Sequence, residues 1–229
     1  MTTVNVPLAV EALGLERTYA SGRATVAALA GVTLGIRRGE FVAVMGPSGS
    51  GKSTLLNVVA GLERPTGGTV RVDGEDLAKL DEEALARHRS KRVGMVFQAF
   101  NLLPRFRVVD NVALPLAFSG VPTAERLRRA RAMLDRLGMS ARADHRSNEL
   151  SGGELQRAAI ARALIGEPAI LLADEPTGNL DSANGAALIA LLEELHAQGQ
   201  TVLLVTHDAQ IAAHAERTIR MRDGRVVDA

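Results

Sequence analysis

Cysteine is absent from the 229-residue sequence. Its absence excludes disulfide bonds, thiol catalysis and cysteine-ligated metal sites, and it is compatible with a reducing compartment. No apolar run approaches the ~20 residues that a membrane-spanning helix needs. The sequence also lacks a basic N-terminal segment followed by an apolar core, so no signal peptide is recognised. We therefore expect a chain that is soluble by itself and can still dock on a membrane protein.

An excess of charge of one sign is also lacking. Lys and Arg number 27 against 26 Asp and Glu, which gives a net charge of +1. The charge of the whole molecule therefore argues neither for nor against nucleic acid as a partner. The length suits one sizeable core, or one core with a subdomain, and hardly two independent domains.

A glycine-rich segment lies between a predicted strand at 40–45 and a predicted helix at 55–60. It consists of Gly46, Pro47, Ser48, Gly49, Ser50, Gly51, Lys52, Ser53 and Thr54. Strand, glycine-rich turn and helix form the P-loop pattern, in which backbone N–H groups wrap a phosphate chain. Lys52 would reach the β/γ-phosphates and the Ser53 hydroxyl would ligate Mg²⁺. The alternative is a glycine-rich turn with a chance Lys-Ser pair. In this strand–helix context we predict that the chain binds a nucleoside triphosphate.

The rest of the chain alternates between strand and helix patterns. Strands are predicted at 8–19 (ended by 20–22), 32–36, 69–72, 92–98, 169–173 and 201–205, and helices at 81–89, 123–137, 152–165 and 182–197. The apolar segment 108–118 contains Pro115, so we expect it to be kinked or in two pieces. The pattern predicts a single α/β domain over 1–229, with a core at 1–100 and 166–229 and a helical insertion at about 101–165.

Two acidic residues, Asp174 and Glu175, end the apolar strand pattern at 169–173. Active sites of parallel sheets lie at the carboxyl ends of strands, so Asp174 is expected beside the P-loop, where it helps to hold Mg²⁺. Glu175 is then placed to orient and polarise an attacking water. The alternative is a buried strand that simply ends in polar residues. A P-loop alone does not distinguish kinases, GTPases, transport ATPases and DNA-repair ATPases.

The segment 150–157, LSGGELQR, resembles the signature motif of the ABC ATPases, which is specific to that superfamily. The other motifs follow in the family's order, and the resemblance covers essentially the whole chain. The segments 100–104, FNLLP, and 172–182, LADEPTGNLDS, are similar to the lipoprotein-release and macrolide-export branch, the LolD/MacB group. Leu155 and the segment 105–110 depart slightly from the branch pattern. The resemblance implies a P-loop ATPase core, with a RecA-like mixed sheet, an antiparallel β subdomain and an inserted helical subdomain.

The resemblance also implies roles for single residues around ATP and Mg²⁺. Tyr19 matches the aromatic residue that stacks on adenine; alternatively it packs on the first strand. Gln98 matches the glutamine that contacts Mg²⁺ or its water; alternatively it is a surface residue. His207 matches the histidine that hydrogen-bonds the γ-phosphate; alternatively it is structural. Together with Lys52 and Glu175, Gln98 and His207 make up the predicted catalytic set, whereas the other four histidines match no motif.

The signature motif predicts a second anion site at a helix start. Its expected nucleotide contacts are Ser151, Gly152, Gly153 and Glu154. The family explains why one chain needs two such sites: two copies pair head to tail, and each signature closes over ATP held by the other copy's P-loop. Asp181 matches the residue that crosses this interface. We therefore expect a homodimer whose closure on ATP and opening after hydrolysis are the power stroke.

A membrane permease is the second expected partner, docked on the helical subdomain at the cytoplasmic face of the inner membrane. This segment contains more apolar residues than a small subdomain needs to bury: Leu102, Leu103, Pro104, Val108, Val109, Val112 and Leu114. The arginine-rich helix at 123–137 is interpreted as a solvated face, and no nucleic acid is expected. The leading hypothesis is an export or extraction ATPase. A cell-division ATPase that controls a cell-wall hydrolase through its permease, and a soluble DNA-repair ATPase, are the alternatives.

Overall fold

The structure, a computed structural model, describes residues 7–21 and 24–228. The strands are β1 Leu8–Ser21, β2 Ala24–Arg37, β3 Phe41–Met45, β4 Gly67–Val72, β5 Glu75–Asp76, β6 Val93–Val96, β7 Ile170–Asp174, β8 Thr201–Thr206, β9 Arg217–Arg222 and β10 Arg225–Asp228. The helices are α1 Lys52–Val59, α2 Glu82–Arg92, α3 Val108–Phe118, α4 Thr123–Arg136, α5 Gly152–Leu164, α6 Ser182–Ala197 and α7 Ala209–Ala212. Gly22, part of the predicted end of the first strand, lies outside the described residues.

The larger sheet has the strand order β10-β9-β3-β8-β7-β6. All its strands are parallel except β10, which pairs antiparallel with β9 at the edge. Strands β3, β7 and β8 are continuous buried apolar runs, as expected for parallel strands covered on both faces. Their carboxyl ends meet at one edge, where Met45 pairs with Thr206 and Asp174 pairs with Val205. The segments that follow these three strands are therefore neighbours.

The smaller sheet is antiparallel, with the order β2-β1-β4-β5. Helix α1 lies between the two sheets, and its Leu55, Leu56 and Val58 share one core with Leu15 of β1 and Val44 of β3. A second core covers the opposite face of the larger sheet and contains residues of α3, α4, α5 and α6. The two sheets and the helices between β6 and β7 confirm the predicted α/β fold class.

Of the two expectations for the segment that contains Pro115, a kink or two pieces, the second is wrong, because the segment is one continuous helix over Val108–Phe118. A proline removes a single backbone hydrogen bond, and burial on both sides of it holds this helix together. Val112 and Leu116 lie in the core on either side of Pro115. The predicted strand 92–98 is also shorter than expected: Arg92 ends α2, and Gln98 lies in a turn beyond β6.

Three of the seven apolar residues assigned to permease docking are core residues. Val108, Val109 and Val112 have no exposed surface and pack in the cluster formed by α3, α4 and α5. Burying such a side chain stabilises a fold by roughly 1.5–3 kcal/mol, so these valines are committed to the core. The expectation that they exceed what the helical block buries is wrong for these three residues.

Three of the five arginines of α4 are paired with acidic residues on the surface. Glu125 accepts hydrogen bonds from both Arg128 and Arg129. Asp144 forms an ion pair with Arg131 at 2.8 Å. This mixture of charges is the solvated face that the sequence predicts for this helix.

Candidate nucleotide site

The P-loop joins the end of β3 to the start of α1 and depends on two glycines. A methyl group at Gly46 would overlap the carbonyl oxygen of Met221 on β9. Gly51 precedes α1 with φ = +97°, and a methyl group there would overlap the carbonyl oxygen of Ala28 on β2. Any side chain at these positions would push the loop away from the two strands. The glycines therefore fix the loop against its neighbours as well as freeing its backbone.

The first turn of α1 leaves its backbone donors available. Within residues 7–21 and 24–228, no side chain caps the start of this helix. Its unpaired N–H groups and the positive end of the helix dipole therefore face the cavity at the loop, as anion binding requires.

A cavity of about 630 Å³ opens at this end of α1. It is lined by Ala28, Ser48, Gly49, Gly51, Lys52, Ser53, Thr54, Glu175 and His207. The structure thus brings the P-loop together with predicted catalytic residues from the ends of β7 and β8. Gly46, Pro47 and Ser50 complete the loop outside this lining. Ala28 carries no sequence signal, since only the passage of β2 beside Gly51 brings it here.

Lys52 is held at the loop by its own backbone. Its side chain is nearly buried, and Nζ donates to the carbonyl oxygens of Gly46 at 2.8 Å and Pro47 at 2.9 Å. The ammonium therefore lies under the loop, beside the N–H groups that would surround a phosphate chain. Phosphate oxygens are stronger acceptors for an ammonium than neutral carbonyls, so a bound triphosphate can draw Lys52 towards itself.

Ser53 and Asp174 offer oxygen ligands for a divalent cation. The Ser53 hydroxyl donates to Asp174 Oδ1 at 3.3 Å. Burial raises the pKa of the Asp174 carboxyl, and the nearby charge of Glu175 adds to this, whereas the Ser53 hydroxyl opposes it. Mg²⁺ prefers one or two carboxylates together with substrate phosphates. Among the described residues no group of three His, Cys, Asp or Glu side chains could hold a metal ion by itself.

Glu175 points into the cavity from a left-handed backbone conformation. Its φ is +43°, and its N–H donates to the Val205 carbonyl at 2.9 Å. Its Oε1 lies 3.1 Å from Nδ1 of His207, whose ring is largely exposed to the cavity. Residues that adopt such conformations without glycine are often held in place for function. The structure therefore brings the predicted base and histidine into direct contact.

Gln98 is not among the residues that line the cavity. Its backbone carbonyl accepts a hydrogen bond from Asn179 Nδ2 at 2.9 Å. A methyl group at Gly178 would come within 2.6 Å of Gln98 Nε2. The glutamine therefore contacts the loop that follows Glu175, and its route to a bound cation stays a prediction.

The signature motif begins helix α5 with a reciprocal cap. Ser151 Oγ accepts from the Glu154 N–H, and the Glu154 carboxylate accepts from the Ser151 N–H at 2.8 Å. The Ser151 N–H, followed by the guanidinium of Arg142, lowers the pKa of Glu154 to about 2. The carboxylate of Glu154 thus fixes Ser151, and its contact with a nucleotide stays a prediction.

The signature helix also contacts the loop that contains Asp181. Asp181 caps α6 by accepting from the Asn184 N–H at 2.8 Å, and these bonds from Asn184, backbone first and then side chain, lower the pKa of its carboxyl. A methyl group at Gly153 would overlap Asn184 Oδ1, whereas one at Gly152 would make an ordinary contact with Leu180 at 3.4 Å. Asn184 is not among the residues predicted from the sequence, whereas Asp181 before the helical pattern is a recognisable N-cap.

None of the signature residues, and not Asp181, lines the P-loop cavity described above. Asp181 instead lines a separate cavity of about 450 Å³ between α6 and α7. Tyr19 is also outside the P-loop cavity; it lies on β1, where its hydroxyl donates to Glu63. One copy of the chain therefore assembles the P-loop, the predicted cation ligands and the predicted catalytic pair, whereas the predicted second anion site lies outside this cavity.

The sequence of this chain is similar to a known family and to known proteins. Residues 29–178 match the family model described as ABC transporter. The macrolide export ATP-binding/permease protein MacB of Rhodospirillum rubrum is 53% identical over 222 residues, covering 97% of this chain and 34% of that protein. An uncharacterized ABC transporter ATP-binding protein of Thermotoga maritima is 45% identical over 216 residues, covering 94% of this chain and 92% of that protein.

A solved structure is similar over the whole fold. The dimeric structure of an ATP-binding cassette in a post-hydrolysis state, bound to ADP and Pi, has a TM-score of 0.88 at 43% identity. It covers 96% of this chain and 97% of that one. The chain spans about a third of the length of the MacB relatives that it matches.

The fold and the site define a P-loop nucleotide hydrolase with an inserted helical block. The chain belongs to the ABC transporter family. It is an ATP-binding and ATP-hydrolysing cassette of the MacB/LolD type, as the motifs predict. No helix among the described residues is both long enough and apolar enough to cross a membrane.

Proposed function

We propose that this cassette works as a homodimer that converts ATP binding and hydrolysis into movement of a membrane permease, in an export or extraction process. The observation that supports this most strongly is the separation of Ser151 and Gly153 from the P-loop cavity of the same copy. A helix start that is predicted to bind phosphate but lies outside the P-loop cavity of its own copy is explained if it serves a second copy. The dimeric cassette structure at 43% identity supports the same arrangement.

Each composite site would contain the P-loop of one copy and the signature of the other. Lys52 and the N–H groups of the loop bind the phosphate chain. Ser53 and Asp174, with Gln98 beside them, would hold Mg²⁺, which neutralises phosphate charge when it is bound. Tyr19 stacks on the adenine. Across the interface, Ser151, Gly153 and Asp181 approach the γ-phosphate from the second copy.

Glu175 is the residue that acts on water. Its carboxylate lies at the cavity wall, is fixed by the backbone bond to β8, and contacts His207 at 3.1 Å. Glu175 orients and polarises the attacking water, and His207 hydrogen-bonds the γ-phosphate and keeps the water aligned. After hydrolysis the phosphate that the second signature held is no longer joined to the bound nucleotide, and the two copies separate. This cycle of closure and opening is the mechanical output.

The permease is proposed to dock in an apolar groove of about 550 Å³ between the core and the helical block. Its apolar wall contains Leu62, Met95, Phe97, Leu114, Pro115 and Phe118. Phe118 is 80% exposed, which is unusual for a large aromatic side chain without a partner. The proposed occupant is a helix of the permease, because the MacB relatives are named as ATP-binding/permease proteins. The cassette would then reside at the cytoplasmic face of the membrane through this contact.

Phe118→Ser is expected to abolish stimulation of ATP hydrolysis by the permease while basal hydrolysis stays near wild type. Removing the aromatic side chain removes the main exposed apolar anchor of the groove, and Phe118 is not among the residues that line the P-loop cavity. The permease is identified as the membrane protein that copurifies with this cassette and is purified in detergent. The measurement is the ATPase activity of the cassette with and without this permease.

Leu13→Ser is the matched control, because Leu13 is an exposed apolar residue on β1, outside the groove. Stimulation should survive in this variant. Full stimulation of the Phe118 variant, or equal loss in both variants, would contradict docking in this groove.

A further inference from the structure

Tyr19 is fixed by a hydrogen-bonded network centred on Glu63. The Tyr19 hydroxyl donates to Glu63 Oε2, and the same oxygen accepts from Arg17 Nε at 3.1 Å. The other carboxylate oxygen, Oε1, accepts from Asn57 Nδ2 at 3.1 Å. Arg17 also donates through Nη1 to the Arg64 carbonyl at 3.0 Å. The single tyrosine of the chain is therefore anchored at its hydroxyl end to a carboxylate that is itself held from three sides.

One face of the Tyr19 ring is covered. The guanidinium carbon of Arg17 lies 4.6 Å from the ring centroid, which is within the range of a cation–π contact. The side chain of Tyr19 remains partly exposed. A ring with a cation on one face and a hydrogen bond at its hydroxyl offers its other face to a flat ligand.

The network connects the ring to the phosphate cradle. Asn57 belongs to α1, the helix that begins with Lys52, and its carbonyl accepts the Glu63 N–H at 3.2 Å. The ring of Tyr19 on β1 is thus tied to the helix whose other end faces the cavity. This arrangement sets the distance between an aromatic platform and the P-loop before any ligand arrives.

Glu63 is an ionised acceptor in this network. Partial burial opposes its ionisation, but the bonds from Tyr19, Asn57 and Arg17 outweigh burial and hold its pKa below the usual value. A carboxylate has no proton to donate, so the tyrosine hydroxyl must point towards it. The orientation of the hydroxyl, and with it the ring, is therefore determined by Glu63.

We propose that Glu63 and Arg17 are positioning residues for ATP, which hold Tyr19 with its open face ready to receive the adenine ring. This inference rests on the proposed stacking of adenine on Tyr19. Fixing the platform beforehand removes the entropy cost of ordering it during binding, so the network should strengthen binding of the base and leave binding of the phosphates unchanged.

The test compares two ligands that share a phosphate chain, ATP and inorganic tripolyphosphate. Their Kd values are measured by calorimetry on the full chain. Tyr19→Ala should weaken ATP binding by about fivefold to a hundredfold, the range of base–aromatic stacking, and leave tripolyphosphate binding unchanged. Glu63→Ala should weaken ATP binding severalfold and also leave tripolyphosphate binding unchanged. The double variant should bind ATP no more weakly than Tyr19→Ala, because the two residues act as one unit.

Glu11→Ala is the matched control, because Glu11 also lies on β1 and forms an ion pair, with Arg71 rather than with the Tyr19 network. This variant should bind both ligands like the wild type. If Glu63→Ala does not fold, as judged by thermal unfolding, Arg17→Met gives the same comparison by uncovering the ring.

Each outcome bears on a different claim. Equal weakening of ATP and tripolyphosphate by Glu63→Ala would overturn the inference, because Glu63 would then act through the P-loop. Additive losses in the double variant, or no loss in the Glu63 variant while Tyr19→Ala does weaken ATP, would overturn it as well. If Tyr19→Ala itself leaves ATP binding unchanged, the proposed adenine stacking fails together with the inference.

Discussion

Glu175→Gln is expected to lower ATP turnover by about 10²- to 10⁴-fold, the usual contribution of a positioned base. Glutamine keeps the size of the side chain but loses the negative charge that polarises water. ATP binding should be retained, because the phosphate contacts come from Lys52 and the loop rather than from Glu175. With hydrolysis blocked, the ATP-bound dimer should accumulate and elute as a dimer with saturating Mg-ATP and as a monomer without it.

The measurements are phosphate release, nucleotide binding and size-exclusion chromatography. Glu167→Gln is a suitable control, because Glu167 also has a positive φ, of 52°, but lies outside the residues that line the cavity. It should hydrolyse ATP like the wild type. Near-normal turnover of the Glu175 variant would contradict the role of its carboxylate, and a monomer at saturating Mg-ATP would contradict closure on ATP.

Gly153→Ala is expected to lower turnover by about 10²-fold, because misplacing a site residue by about an ångström has effects of that size. The new methyl group would overlap Asn184 Oδ1, and Asn184 is bonded to Asp181 through both its backbone and its side chain. One methyl group would thus displace the signature helix relative to the Asp181 loop. Both elements are proposed to contact the partner's nucleotide, whereas ATP binding to the chain's own P-loop should be unchanged.

Two further variants show whether the overlap is the cause. Gly152→Ala should have a smaller effect, since its methyl group meets Leu180 at an ordinary distance of 3.4 Å. Asn184→Ala combined with Gly153→Ala removes the overlapping oxygen and should restore much of the activity. Weakened ATP binding in the Gly153 variant, or no recovery in the double variant, would show that the effect arises in another way.

The part of the fold around the P-loop was predictable because its signals are local. An apolar run between glycines gives β3, and the glycine-rich turn with Lys52 gives the start of α1. Helix α6 begins at Ser182 after its capping aspartate and matches the predicted range. The meeting of Asp174, Glu175 and His207 with the P-loop also follows from sequence, because parallel strands place their carboxyl ends together.

The features that sequence reasoning missed depend on contacts between distant segments. Pro115 predicts a kink or a break, but burial of its neighbours keeps α3 in one piece. The valines at 108, 109 and 112 look like spare apolar surface until α4 and α5 are seen to cover them. The anchoring of Tyr19 by Glu63 joins residues 44 positions apart. No local pattern in the chain indicates that contact.

Mixing two inactive variants shows whether each signature acts on the ATP of the other copy. Glu175→Gln supplies an intact signature without a working base, and Gly153→Ala supplies a working base without an intact signature. The two are mixed before nucleotide is added, with the Gly153 variant in excess, and phosphate release is followed after Mg-ATP is added.

If each signature acts on the ATP of the other copy, the mixture should hydrolyse ATP faster than the sum of the two variants measured alone. Each heterodimer then contains one complete site, made of the P-loop and Glu175 of one copy and the signature of the other. If the signature served its own copy, every chain in the mixture would carry a defective site. A rate equal to the sum of the separate rates would therefore contradict action of the signature on the ATP of the other copy.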